Sequence, residues 1–330
     1  MKIREALKKY HKIEIELLLA HVLKKPKEFV FMHGENRLTR IQANRLTRMA
    51  QRRLKGEPMA YILGYKDFMG LRFKVNSNVL VPRPETEMVV GLISAKLRSS
   101  PPKIGGVAAV RQTGRYDTAD STTSPRLTGY SSYSRRRSSA VIQAKILDIG
   151  TGSGCIIISL AKALTPLPEG EGKLQFFASD ISSAALKVAK QNAKIILAKH
   201  YHTTVYDSVW PKIKFVKSDL LKNIKGNFDI IIANLPYGWS EWKNNSSAQT
   251  VGLKFEPRQA LFTKEKGLMI IRRLLNQIAA KKQKPKLVYL EFDPRQKLEL
   301  SKLIKKSLPG SKTKFNKDYN NLWRWAEISL

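Results

Sequence analysis

Between residues 3 and 54 the apolar positions recur at helical spacing, with Leu17-Leu18, His21-Val22 and the series Leu38, Ile41, Leu46 and Met49 on one face. That period predicts a small helical domain over residues 1–56. After Gly56 the pattern changes to short runs punctuated by glycine, Tyr61-Ile62-Leu63-Gly64 and Phe68-Met69-Gly70-Leu71-Arg72-Phe73-Lys74-Val75. These predict a β-hairpin linker over 57–82. Val79-Leu80-Val81 reads as a strand stopped by Pro82 and Pro84, after which Glu85 and Glu87 open a helix reaching Ala95.

Residues 98–143 are rich in Ser, Thr, Arg, Gly and Pro, include Arg135-Arg136-Arg137, and follow no period. A disordered insertion is expected there, and both an RNA-binding arm and a tolerated surface loop stay open as its role. A shorter irregular stretch covers 165–172. Elsewhere beyond residue 144 strand-like and helix-like segments alternate: strands at 145–149, 174–178, 213–216, 228–233 and 287–291, helices at 155–164, 182–198, 267–280 and 295–306, and a terminal pair at 312–315 and 323–328. Regular alternation predicts an α/β fold with a doubly wound, mostly parallel sheet, in a domain spanning 83–330.

With 330 residues, 42% of them hydrophobic, the chain can bury a full α/β core and one small extra domain. Its apolar runs are strand-length or amphipathic, and the first residues carry charges throughout with no signal-peptide core, so a soluble, cytoplasmic protein without membrane contact is expected. The lone Cys155 excludes an intramolecular disulfide framework and a zinc site of several cysteines, and no metal is expected. A net charge of +34 favours encounter with an anionic partner such as RNA or a ribosome. The lysines are scattered, so a generally basic composition and a selected nucleic-acid surface both remain open.

The candidate chemistry lies at strand ends. Asn234-Leu235-Pro236-Tyr237 follows directly on the apolar run 228–233, which delivers Asn234 to the carboxyl rim of the sheet, where ligands bind in open parallel folds. An amide, two turn-constrained carbonyls and an aromatic face suit a planar NH2 group. The strand at 145–149 leads into Gly150-Thr151-Gly152-Ser153-Gly154, whose glycines let a ligand approach the backbone. Asp180, at the end of the next strand, is placed for a ribose diol, and Asp219, after the third, for an adenine amino group. Asp148, or the loop beside it, could face a positive amino-acid portion. No lysine follows the glycines as in a phosphate-binding loop, so S-adenosylmethionine suits this site better than NAD.

LDIGTGSG, Asp180 and NLPY in that order resemble class I S-adenosylmethionine-dependent methyltransferases acting on planar amino groups. EPMAYILGYKDFMGLRF, VLVPRPETE, LDIGTGSGC, NLPY and FEPRQALF are similar to the N5-glutamine methyltransferases of peptide chain release factors, over nearly the whole chain apart from 98–143. The resemblance implies a Rossmann-like, mostly parallel seven-stranded sheet, S-adenosylmethionine as cofactor, and as substrate the glutamine of the Gly-Gly-Gln loop of class I release factors. That glutamine would be held by Asn234, Leu235, Pro236 and Tyr237, with the Asn234 side-chain oxygen and the Leu235 carbonyl accepting its two N–H bonds and Tyr237 stacking on the amide. Arg83, Glu85 and Glu87 would approach from the mouth, with an interdomain salt bridge as the alternative for these linker residues. Leu235 departs from the family's proline. A ribosomal protein glutamine, an RNA adenine N6 position, and a non-catalytic RNA-binding protein are the competing readings.

Overall fold

The computed structural model describes residues 1–99, 142–165, 172–198, 211–239 and 252–330. Most of the 98–143 segment and the centre of the 165–172 stretch therefore lie outside the described residues.

The first helices are α1 (Ile3–Lys9), α2 (Ile15–Leu23), α3 (Lys27–Met32) and α4 (Arg40–Leu54). They share one core, in which Ile3, Leu18, Leu19, Val30 and Leu46 are fully buried. Thr39 starts α4 with a reciprocal cap, accepting from the Gln42 backbone N–H while the Gln42 side chain accepts from its own. Arg53 near the end of α4 makes a two-pronged pair with Glu14 at the start of α2, which sets the two helices side by side.

The hairpin is β1 (Tyr65–Phe68) and β2 (Leu71–Lys74), turning through Met69 and Gly70, both at positive φ. The first of the two runs assigned to it is instead helix α5 (Met59–Leu63), ended by Gly64 in the left-handed region. Its five apolar residues after a proline fit a single turn as well as a strand, and the Tyr61 hydroxyl docks on the Val79 carbonyl at 2.5 Å. Nor is the 79–81 segment a strand. Val79 and Val81 are buried, but the Val81 N–H goes to the Glu256 side chain rather than to a neighbouring strand. Helix α6 (Pro84–Ser99) begins at the second proline and outlasts the expected end.

The main sheet holds β3 (Ile142–Ile149), β4 (Gly172–Asp180), β5 (Ile213–Lys217), β6 (Ile230–Ala233), β7 (Leu287–Glu291), β8 (Lys312–Lys317) and β9 (Trp323–Ser329) in the order β5-β4-β3-β6-β7-β9-β8. The first five run parallel and β9 is antiparallel to both neighbours. Side chains alternate between two buried faces. Ile146, Ile230 and Ile232 pack with α6, α7 (Cys155–Leu164) and α8 (Ser183–Ala198), while Leu147, Ile149, Ile231 and Ala233 face the helices Met269–Ala279 and Lys297–Ser307. Burial on both faces is why these strands read as unbroken apolar runs, each large side chain contributing about 1.5–3 kcal/mol.

The chain winds from β3 outward to β5 and then returns to lay β6 on the other side of β3. That reversal opens a crevice at the carboxyl ends of β3 and β6. Asn192 on α8 fastens the hairpin beside it, donating to the carbonyls of Lys74 and Ser153 and accepting the Lys74 N–H at 2.7 Å. Among the described residues no helix is long and apolar enough to cross a membrane.

Candidate active site

A cavity of about 620 Å³ occupies the crevice. Gly150, Thr151, Gly152, Ser153, Asp180, Asp219, Asn234, Leu235, Pro236 and Arg83 all line it, drawn together from five separate stretches of sequence. Its volume suits a small-molecule ligand.

The loop after β3 is held from behind. Asp148 is 1% exposed and does not line the cavity; one carboxylate oxygen accepts the Thr151 hydroxyl at 2.6 Å and the other has no partner. Burial, aided by the nearby Asp180 charge and opposed by Thr151, pushes its carboxyl up to about 7. Of the two options for facing a positive ligand group, the structure thus brings the loop to the cavity and leaves Asp148 beneath it. Gly154 also stands outside the lining: a Cβ there would fall 2.7 Å from Ile158 Cδ1 and 3.2 Å from Ala189 Cβ, so this glycine lets α7 and α8 close on each other.

Asp180 accepts the Gly152 N–H on one oxygen at 2.9 Å and the Ser182 N–H on the other at 2.8 Å. Each oxygen keeps a lone pair, and burial raises the carboxyl despite these two bonds. Asp219 lines the wall but is engaged by Arg273 at 2.5 Å, a competitor for any ligand amino group. Cys155 is buried, and desolvation pushes its thiol up to about 12, which makes it a poor nucleophile. Among the described residues no cluster of three or more His, Cys, Asp or Glu is placed to hold a metal.

The Asn234-Leu235-Pro236-Tyr237 segment leaves β6 against the glycine loop. The Leu235 side chain is buried, and its Cδ2 lies 3.1 Å from where a Cβ on Gly150 would stand. Asn234 Nδ2 donates to Thr86 Oγ1 at 3.2 Å. Thr86, on α6, donates to Glu291 Oε2 at 2.7 Å, and the Tyr237 hydroxyl donates to Glu291 Oε1 at 3.0 Å. Tyr237 does not line the cavity, so its ring secures the loop instead of offering a face for stacking. Burial, and then the Glu291 charge, raises its phenol well above the ordinary range.

Glu291 ends β7 and is 1% exposed; burial pushes it up to about 7 against the lowering effects of Thr86, Tyr237 and Arg324. The carbonyl of Tyr237 is gripped in turn by Gln296 Nε2 at 2.9 Å, which also reaches the Lys266 carbonyl at 2.7 Å. Glu265, Lys266 and Gly267 are consecutive left-handed residues, a turn that costs about 1–2 kcal/mol at each non-glycine position and brings Gly267 against Tyr237. Arg83 lines the cavity, and its guanidinium pairs at 2.6 Å with the buried Glu256, which also takes the Val81 N–H; both partners fall within residues 83–330, so this pair is not a bridge to the helices of residues 1–56.

Thr86, Glu291, Gln296, Asn192 and Gly267 were not anticipated. A glutamate closing the apolar run Leu287-Val288-Tyr289-Leu290 carried the same strand-end signal as Asp180 and was the most accessible of them.

A model of the PrmC N-terminal domain matches residues 2–64, and one of a methyltransferase domain matches 142–284. The release factor glutamine methyltransferase of Pasteurella multocida (strain Pm70) is 30% identical over 302 residues, covering 90% of this chain and 84% of the relative. That of Neisseria gonorrhoeae (strain ATCC 700825 / FA 1090) is 32% identical over 270 residues, covering 81% and 75%. The bifunctional methyltransferase of Rickettsia bellii (strain RML369-C) is 33% identical over 299 residues, 89% of this chain, but the match spans only 47% of that longer relative. Among solved structures the hMettl16 catalytic domain in complex with MAT2A 3'UTR hairpin 6 superposes with a TM-score of 0.50 at 14% identity, over 94% of this chain and 91% of that one, a likeness of fold alone.

Proposed function

The chain belongs to the release factor glutamine methyltransferase family, and on that premise we propose that it moves a methyl group from S-adenosylmethionine to the side-chain amide nitrogen of a protein glutamine, that of the Gly-Gly-Gln loop in class I peptide chain release factors. One observation carries this reading: the Asn234 amide, the glycine loop and Asp180 share the wall of a single cavity. An amide-binding group and a nucleoside cradle thus meet in one space.

When bound, S-adenosylmethionine supplies an electrophilic methyl on a sulfonium. The residues present suit it: the loop at Gly150 to Ser153 admits close approach, Asp180 keeps two lone pairs for a ribose diol, and Asp219 stands further along the wall. A carboxamide nitrogen is a poor nucleophile, since its lone pair is delocalised by the resonance that gives amide rotation a barrier of about 18–20 kcal/mol. Asn234 Oδ1 and the Leu235 carbonyl accept the two N–H bonds of the target amide and turn the freed lone pair toward the methyl. As positive charge grows on nitrogen the two bonds become charge-assisted, so they strengthen toward the transition state. With the cofactor bound, Asn234 and Leu235 would fix the target nitrogen in place, and positioning of this kind can remove ~7–11 kcal/mol of entropic barrier. Leucine in place of the family's proline leaves φ freer, and its packing on Gly150 restrains the same main chain by another route.

Two measurements test the reading. Calorimetry with S-adenosylmethionine should give saturable binding, and an assay offering a release factor, a ribosomal protein with an exposed glutamine and ribosomal RNA should label the release factor. Label entering only RNA would replace this function with adenine methylation; absence of cofactor binding would remove it.

A further inference from the structure

We propose that Glu291 is a positioning residue that decides, through Thr86, which end of the Asn234 amide faces the cavity. The inference rests on the functional reading above only for its kinetic consequence. The hydrogen-bond geometry carries the rest.

A threonine hydroxyl has one hydrogen. An ionised carboxylate can only accept, so the Thr86 hydrogen is committed to Glu291 Oε2 at 2.7 Å. What Thr86 has left is a lone pair, and a lone pair can meet only the NH2 end of Asn234, at 3.2 Å. The amide is thereby polarised in one sense, with Nδ2 toward α6 and Oδ1 turned away from it, toward the cavity that Asn234 lines. A flipped amide would present two donors to the two donors of a substrate NH2 group, and no grip would form. The second oxygen of Glu291 takes the Tyr237 hydroxyl at 3.0 Å, so one buried carboxylate secures the first and last residues of the motif.

The relay can run backwards. If Glu291 carries a proton on Oε2 it donates to Thr86, whose hydrogen is released toward the amide, and the favoured end of Asn234 is reversed. The charged and titratable groups around Glu291 are Glu85 from α6, Tyr237 after β6, Arg324 from β9 and Cys155 at the start of α7. Burial outweighs them and brings the carboxyl up to about 7, within reach of ordinary assay conditions.

Thr86→Val keeps the shape of the side chain and removes the hydroxyl; Thr86→Ser keeps the hydroxyl. Glu291→Gln abolishes the titration. For the kinetic arm, kcat should fall roughly 10- to 100-fold in Thr86→Val and Glu291→Gln with cofactor affinity unchanged, while Thr86→Ser stays within about threefold of the parent. The parent's kcat should fall with acidity through about pH 7, and Glu291→Gln should lack that limb. For the spectroscopic arm, the Asn234 NH2 pair, assigned by its loss in Asn234→Ala, should exchange slowly with solvent in the parent and in Thr86→Ser, and rapidly in Thr86→Val and Glu291→Gln. Unaltered amide exchange in both of those variants, or an equal loss of kcat in Thr86→Ser and Thr86→Val, overturns the proposal. Should the parent methylate no acceptor at all, the functional reading falls, and the amide exchange still decides whether the relay exists.

Discussion

The carbonyl oxygen of Tyr237 occupies the space that a side chain on Gly267 would need: a Cβ at Gly267 would stand 1.9 Å from that oxygen. Gly267 also sits at φ +85°, where any other residue is strained. Gly267→Ala must therefore displace the end of the Asn234-Tyr237 segment or unfold the turn that carries it. We expect a lowered Tm together with a loss of methyl transfer larger than any loss of cofactor affinity, since the glycine loop has its own anchors in Asp148 and Asp180. Calorimetry and initial rates on one preparation check this; a variant with parental Tm and rate would show that the turn yields freely.

How much of this site can be read from the sequence depends on how local each signal is. Gly150, Asp180 and Asn234 each end a strand, and a strand end followed by glycine, acid or amide is visible within a few residues. The Cys155–Leu164 helix and the Leu287–Glu291 strand match their expected limits because buried apolar runs have abrupt edges. Thr86 and Glu291 meet across 205 positions, and Tyr237 and Gln296 across 59. No window of sequence holds both partners. Thr86 lies between the charged Glu85 and Glu87, yet the residue that touches Asn234 is the neutral one. The same limit explains α5, where a short apolar run could not choose between turn and strand until the Tyr61 hydroxyl found Val79.

Arg83 joins the segment before α6 to Glu256, in the stretch that follows the Leu253–Phe255 turn. Its partner Glu256 is almost wholly buried, with 2% of its side chain exposed, so removing the guanidinium strands a buried charge. Arg83→Ala should destabilise the fold by about 3 kcal/mol, the lower end for a broken buried pair because Arg83 itself is partly in water. Adding Glu256→Gln should recover part of that loss. Urea unfolding of the two single variants and the double variant measures the coupling; a stable Arg83→Ala protein would reduce the contact to surface decoration.

Asp148 and Glu291 make stability fall as the medium becomes more alkaline. Both are pushed up to about 7 by burial, while in the unfolded chain they return to about 4. Between those values the folded state holds protons that the unfolded state has released, so their contribution is complete at low pH and disappears as pH rises through about 7. Unfolding followed from pH 5 to pH 8 should show this decline, with a shallower slope in Glu291→Gln. An identical slope in that variant would mean that Glu291 is already ionised in the folded protein throughout the range.

In the proposed function Asn234 holds the target nitrogen and takes no large part in binding the cofactor. Single-turnover methyl transfer by Asn234→Ala to a release factor, set beside its calorimetric affinity for S-adenosylmethionine, isolates that role. The expected rate is lower by about 10²–10³ with the affinity nearly intact. A variant that transfers methyl at the parental rate would contradict it.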